Sequence, residues 1–203
     1  MVVKYSPDSK RTFNPCRNKR CKACGLYLNQ DPIFDLKKPS SIFWVGLSAV
    51  QFSEEEEMLP LASHTRSGAL LKQIEEPFAD SISFYKTNLV KCVPMRDEKI
   101  RYPLEHEMDK CYPNLQMEIE ELKPSTIFLL GKQVATFVLK KEFNCDYSLD
   151  DEFNYQSFES NGINYVPVHH PSYILVYKRK NLRQYMQGIQ SLFQSALADT
   201  FAH

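Results

Sequence analysis

Nowhere in its 203 residues does the chain carry the roughly 18 consecutive apolar residues that a membrane span needs. The N-terminal stretch MVVKYSPDSKR lacks the apolar core of a secretory signal, so the protein is expected to be intracellular, in the cytoplasm, with no membrane contact. Charge of one sign is also missing. The 25 Lys and Arg are offset by 25 Asp and Glu, which excludes a whole-surface nucleic-acid binder and leaves room only for a local basic patch. No internal repeat or low-complexity segment divides the chain. With 43% hydrophobic and 12% aromatic residues there is enough apolar material for a sizeable core, and residues 1–203 are expected to fold as one domain, a monomer in the simplest case.

What is present is cysteine, six in all, three of them in CRNKRCKACGL between Cys16 and Leu26. In a reducing compartment these are poor disulfide candidates and better metal-ligand candidates, while thiols outside any pattern default to buried, inert side chains.

Hydrophobic periodicity gives an alternation of strands and helices. SIFWVG (Ser41 to Gly46), SISFYKTNLV (Ser81 to Val90) and STIFLLG (Ser125 to Gly131) read as buried strands, and FNYQSFESNGINYVPV as a hairpin around Asn161-Gly162. SGALLKQIEE reads as a helix with Ser67 near its start. LEHEMDKCYPNLQMEIEEL reads as a long amphipathic helix interrupted at Pro113; KQVATFVLKKEF and the segment from Lys180 to Ala198 complete the set. SEEEEM, Ser53 to Met58, reads as a solvated loop or helix start. The implied fold is α/β, a three-layer α/β/α arrangement on a central, mainly parallel four-stranded sheet. Ligands of such sheets sit beyond the carboxyl ends of the strands, which selects the loops GLSAVQFS, TNLVKC and HHPSYIL.

The ordered set Cys21-x2-Cys24, GLSA, PLASHTRSGALL, TNLVKC, LGKQVA and HHPSYIL resembles the iron–sulfur, family 4-like branch of the uracil-DNA glycosylase superfamily, over Cys16 to Lys180. The resemblance implies a 4Fe-4S cluster held by Cys21, Cys24, Cys92 and Cys111 within a cluster-binding N-terminal segment, residues 14–30. Between Cys92 and Cys111 lie eighteen residues, slightly more than the family interval, with MRDEKIRYP as the insertion. Four thiolates suit such a cluster, and zinc accepts four cysteines equally well, so spacing alone leaves the metal open. Cys16 is an alternative to Cys21, and Cys145 is surplus.

The same resemblance implies roles at the strand ends. His170, directly before Pro171 and Ser172, matches the histidine that stabilises the departing uracil anion; the plainer reading is a strand-end histidine that only caps. Asn88 matches the asparagine that reads the base edge, and Leu61 stands where relatives carry an aromatic that stacks on the flipped base. In GLSAV, Gly46 to Val50, relatives read GEAPG with an acidic or amide side chain that orients water; here Leu47 holds that place, and Ser48 and Gln51 are the local candidates. Thr65, Arg66, Ser67 and Gly68, at a helix start, suit a DNA phosphate. Lys178, Arg179 and Lys180 correspond to the loop after His-Pro-Ser that enters or flanks the minor groove. The resemblance thus implies base excision from DNA by flipping a pyrimidine. Two rivals stand beside it: a glycosylase-like DNA reader that has lost hydrolysis, and an enzyme for another modified base.

Overall fold

The computed structural model describes residues 21–35, 40–51, 59–149 and 152–200. Its elements run β1 (Ile42–Ser48), α1 (Arg66–Glu75), β2 (Phe84–Val90), β3 (Met95–Arg96), β4 (Lys99–Ile100), α2 (Glu105–Leu122), β5 (Thr126–Leu130), α3 (Lys132–Phe143), β6 (Phe158–Ser160), β7 (Ile163–Val168), α4 (Pro171–Tyr177) and α5 (Leu182–Thr200). No described helix is long and apolar enough to cross a membrane. Cys16, the first part of the cluster segment and the acidic run from Ser53 to Met58 lie outside the described residues.

The main sheet has the order β2-β1-β5-β7-β6. Its first four strands are parallel and β6 pairs antiparallel with β7, so the sheet has five strands and not the four expected. The fifth arises because Asn161 (φ 53°) and Gly162 (φ 74°) both take the left-handed conformation that a two-residue hairpin turn requires. That turn folds β6 back onto β7 with Ser160 opposite Ile163.

Alternation along the strands sends side chains to two cores. Phe43, Val45, Tyr85, Leu89, Ile127 and Leu129 pack with Leu115 and Ile119 of α2 and Val134 and Val138 of α3. Ile42, Trp44, Phe84, Phe128 and Val166 pack on the other face with Leu70, Leu71 and Ile74 of α1 and Tyr185, Ile189 and Phe193 of α5. This is the expected three-layer arrangement. The outer edge of β2 is covered by the N-terminal segment: the Ile33 N–H donates to the Lys91 carbonyl (2.9 Å), and Asp35 Oδ2 accepts from the Lys86 N–H (2.9 Å).

Helix α1 starts at Arg66 with Ser67 in its first turn, as expected, and Thr65 is the N-cap, its Oγ1 accepting from the Gly68 N–H at 3.0 Å. Two local expectations are corrected. Helix α2 runs through Pro113 without a break: the proline lies on the exposed face, where a freed backbone carbonyl meets water. The last helix begins at Leu182, since Arg179–Asn181 forms a separate 3-10 turn. The stretch read as an insertion forms its own two-stranded hairpin, β3–β4, turned by Asp97 and Glu98 at positive φ.

Candidate functional site

The parallel strands end along one edge of the sheet, with Gly46 opposite Asn88, Ser48 opposite Val90 and Leu130 opposite Val168. Beyond that edge lies a cavity of about 240 Å³ whose lining includes Leu47, Ser48, Leu61, Thr65, Asn88 and His170, with Ser67 also at its wall. Side chains as far apart in sequence as Leu47 and His170 therefore face one small space. Pockets for drug-sized ligands span about 300–1,000 Å³, so this volume suits a single small ring. Of the other residues singled out from sequence, Ser172 stands at an adjoining groove, Pro171 is buried in the first turn of α4, and Arg66, Lys178 and Arg179 lie outside the cavity lining.

Asn88 is 3% exposed on the central part of β2's exit, and its carboxamide lies directly over Gly46. A Cβ at position 46 would stand 2.3 Å from Asn88 Oδ1, so glycine there is what allows the amide to occupy its place. Gly46 thus shapes the site from beneath, and β1 continues past it to Ser48. Among the described residues none hydrogen-bonds the Asn88 carboxamide, which leaves one donor and one acceptor facing the cavity.

His170 is the N-cap of α4. Its Nδ1 accepts the Ser172 N–H at 3.1 Å and lies 2.7 Å from Ser172 Oγ. A backbone N–H can only donate, so Nδ1 carries no proton and the neutral ring must carry its proton on Nε2. Burial disfavours the imidazolium and depresses the His170 pKa to about 4. The capping role and a donor role are therefore compatible, because they use different ring nitrogens. An NMR titration of the ring should show a midpoint near 4, well below the ordinary value of 6.5. The unfolded chain binds this proton as pH falls below about 6.5 and the folded chain does not, so His170's contribution to stability is lost as pH falls from about 6.5 through about 4. A midpoint near 6.5 would remove the neutral-donor assignment.

The first turn of α1 closes the cavity from the other side. Thr65 donates its hydroxyl to the Ala62 carbonyl (2.8 Å), and Gly68 packs so tightly that a Cβ would meet the Ala62 carbonyl oxygen at 2.0 Å. The Gly68 amide is taken by the Thr65 cap, leaving those of Arg66 and Ser67 as the first-turn donors for an anion. Leu61 is held at φ 50° in the turn ahead of α1 and presents its side chain to the cavity and to Gly46.

Next to the site, the four cysteines singled out from sequence come together. The Asn114 amide lies 3.7 Å from Cys111 Sγ and 4.0 Å from Cys21 Sγ, and the Lys91 N–H donates to Cys111 Sγ at 3.3 Å. Burial, reinforced by Cys111, Cys24 and Cys21, pushes the Cys92 thiol up to about 12. Among the described residues no three His, Cys, Asp or Glu side chains stand as they lie in an arrangement able to hold a metal ion. Cys145 lies elsewhere, beyond α3.

Sequence reasoning missed two supports. Gly131 (φ 90°) closes β5 against His170, with an added Cβ only 3.1 Å from the histidine's own. Lys91 and Glu118, 1% and 0% exposed, form a buried ion pair at 2.5 Å that also takes in Thr87 and Tyr85. The signal for Gly131 was present in LLG at a strand end; that for Glu118 was not, since its partner lies 27 positions away.

The fold is thus a mainly parallel α/β sheet with a small cavity beyond its carboxyl edge, walled mostly by apolar side chains and carrying Ser48, Thr65, Ser67, Asn88 and His170 as its polar groups. The chain belongs to the uracil DNA glycosylase superfamily, whose model matches residues 35–194. Among solved structures, the crystal structure of wild-type SMUG2 from Pedobacter heparinus is similar in fold, with a TM-score of 0.50 at 14% identity over 79% of this chain and 77% of that one. No curated protein matches.

Proposed function

We propose that the protein is a DNA glycosylase that hydrolyses the N-glycosidic bond of uracil or a related modified pyrimidine flipped out of DNA. The observation that carries this reading is the convergence of the Asn88 amide and the neutral His170 ring on one cavity sized for a single base. Cleavage develops negative charge on the departing base and positive charge on the sugar. His170 Nε2–H donates to the base oxygen where that charge collects, and Asn88 offers a donor to a carbonyl and an acceptor to a ring N–H. The described lining contains no carboxylate. Water is therefore positioned by the Ser48 hydroxyl and the backbone of its loop, and stabilisation of the leaving base supplies most of the rate.

That missing carboxylate, with Leu47 in its place, also favours a second reading, a DNA reader that binds without excising. One experiment separates them. Single-turnover incubation with single- and double-stranded DNA carrying uracil or other modified pyrimidines, followed by alkali and a sequencing gel, should show strand breaks at the modified base. Tight binding with every base left in place would overturn the enzyme.

The cysteines suit a thiolate-bound metal in their donor set: four sulfurs, of which Cys111 receives the Lys91 backbone N–H and the Asn114 amide, and Cys21 the Asn114 amide. Cys21, Cys24, Cys92 and Cys111 would hold a 4Fe-4S cluster, whose part is structural, tying the N-terminal segment to α2. Anaerobically purified protein should be brown and contain about four irons, the content of one such cluster. Cys92→Ala should bleach it and Cys145→Ala should not. Colourless protein with one zinc would replace the iron–sulfur assignment by a zinc site.

A further inference from the structure

We infer that the groove beside the base cavity is a second subsite, which stacks the unpaired nucleobase adjoining the flipped one, so that the protein takes its substrate from single-stranded DNA. This rests on reading the cavity as a base pocket.

The groove, about 610 Å³, adjoins the cavity, and Leu47 and His170 line both. Its walls are aromatic and unusually open to water. Tyr102 is 70% exposed and Tyr177 74% exposed, with Val176 beside it at 64%. Large apolar side chains gathered around a concavity mark a place where something docks. The Tyr177 ring is the outer end of a ladder: buried His169 stacks on Tyr173 at 5.5 Å and 16°, and Tyr173 meets Tyr177 at 5.5 Å. The ladder leads from the core to solvent and ends beside the groove.

Tyr102 is set in place deliberately. It belongs to the insertion, just after its β3–β4 hairpin, and Arg101 holds its carbonyl at 2.9 Å. The same guanidinium grips both oxygens of Glu107 at 2.8 and 2.6 Å, and Glu107, 4% exposed, also accepts the Leu104 N–H at 2.7 Å. A bidentate arginine on a buried carboxylate is a rigid fixture. Here it fixes a segment whose tyrosine contributes almost nothing to the core, which is the arrangement of a positioned contact residue.

Charge selects the occupant. Among the described lining residues there is one cation, exposed Lys132, and no carboxylate, and the exposed Arg179 and Lys180 come two and three residues after Tyr177. Flat aromatic faces set among cations suit a polyanion that carries flat rings, the combination by which single strands are bound without regard to sequence. In a duplex the base beside the flipped one keeps its pairing partner and its stack on the far side, and the face that flipping uncovers opens into the helix and not toward a groove outside the pocket. The subsite therefore accepts an unpaired base.

The test uses the full chain and fluorescein-labelled single-stranded and duplex oligonucleotides of one sequence, with and without uracil. A further strand carries 2-aminopurine next to the uracil. Tyr102→Ala and Tyr177→Ala should each weaken single-strand binding about 5- to 150-fold, with duplex binding changed less than twofold, and Tyr177→Phe should restore it. The 2-aminopurine fluorescence should be quenched by the wild type and not by the alanine variants. Both side chains are exposed, so melting curves should match the wild type. If these variants bind single strands as the wild type does, or lose single strand and duplex equally, the subsite falls, even where uracil is still excised. If no base is released from any DNA while single-strand binding depends on both tyrosines, the subsite stands and the glycosylase reading falls. Failure of the wild type to bind single strands, or a protein partner competing for the groove in their place, overturns it.

Discussion

Replacing His170 by alanine is expected to slow base release about 100- to 1,000-fold, the usual loss when a donor aimed at developing charge is removed. The same change at His169 should leave single-turnover excision within about tenfold of the wild type, well short of such a loss. The two histidines are adjacent and their surroundings are opposite. His169 is 6% exposed, its Nδ1 lies 3.0 Å from the Tyr155 hydroxyl, its ring stacks on Tyr173 and its carbonyl accepts from Tyr185 at 2.9 Å. It belongs to the packing beneath α4 and α5, so its removal should lower the melting temperature more than the rate. His170 touches the cavity, and its Nδ1 is already committed to Ser172. Since the pKa of His170 is depressed to about 4, wild-type excision should show no acid limb near pH 6.5 arising from this residue. Equal rate losses at the two positions would sink the assignment. A His170→Ala variant that melts normally and excises at the wild-type rate would move the chemistry elsewhere.

The same pair shows how far a sequence can be read. Adjacent histidines at a strand end say that one side chain points along the sheet into a core and the other toward the loop, and the Pro-Ser that follows identifies the second as a cap. The sheet layers were legible because buried parallel strands are short apolar runs between longer amphipathic segments. The residues of α3, Lys132 to Phe143, agree with the periodicity throughout. The fifth strand was not legible as part of the sheet. It shows in the sequence only as one arm of the Asn161-Gly162 hairpin, since β6 is three residues long and only half-buried and has no apolar run of its own. Gly46 reads as the end of a strand because glycine often is one. In the structure it lies inside β1, and its missing side chain is required by an atom of a different strand, Asn88 Oδ1. Glu118 is the clearest failure of local reading. In MEIEEL it looks like one more acid on a wet helix face, yet it is fully buried.

What Glu118 does explains the rest of TNLVKC. In a strand alternate residues share a face, so Thr87 and Lys91 point toward α2 while Asn88 points toward the cavity. Lys91 Nζ reaches Thr87 Oγ1 at 2.6 Å and Glu118 Oε2 at 2.5 Å, and the Tyr85 hydroxyl donates to Glu118 Oε1 at 3.0 Å. Burial pushes the Glu118 carboxyl up, and the lysine with these hydrogen bonds opposes that push. The network therefore braces β2, which carries Asn88 and leads into Cys92, against α2, which carries Cys111.

Lys91→Met should accordingly cost about 3–5 kcal/mol, because it leaves a carboxylate in the interior without its cation. Urea unfolding should show the loss as a lower midpoint at an unchanged slope. Adding Glu118→Leu to Lys91→Met should recover at least half of that loss, since two apolar side chains of similar volume have no charge to desolvate. The brace also predicts a functional consequence that a generic loss of stability does not. In the single variant, at a temperature where it remains folded, the iron content that the proposed cluster implies should fall, because the Lys91 N–H that donates to Cys111 Sγ moves with the strand. In the double variant, metal should return along with stability. A loss below about 1 kcal/mol for Lys91→Met, the range of an exposed pair, would show that water reaches the network and that β2 and α2 are held together by their apolar contacts alone.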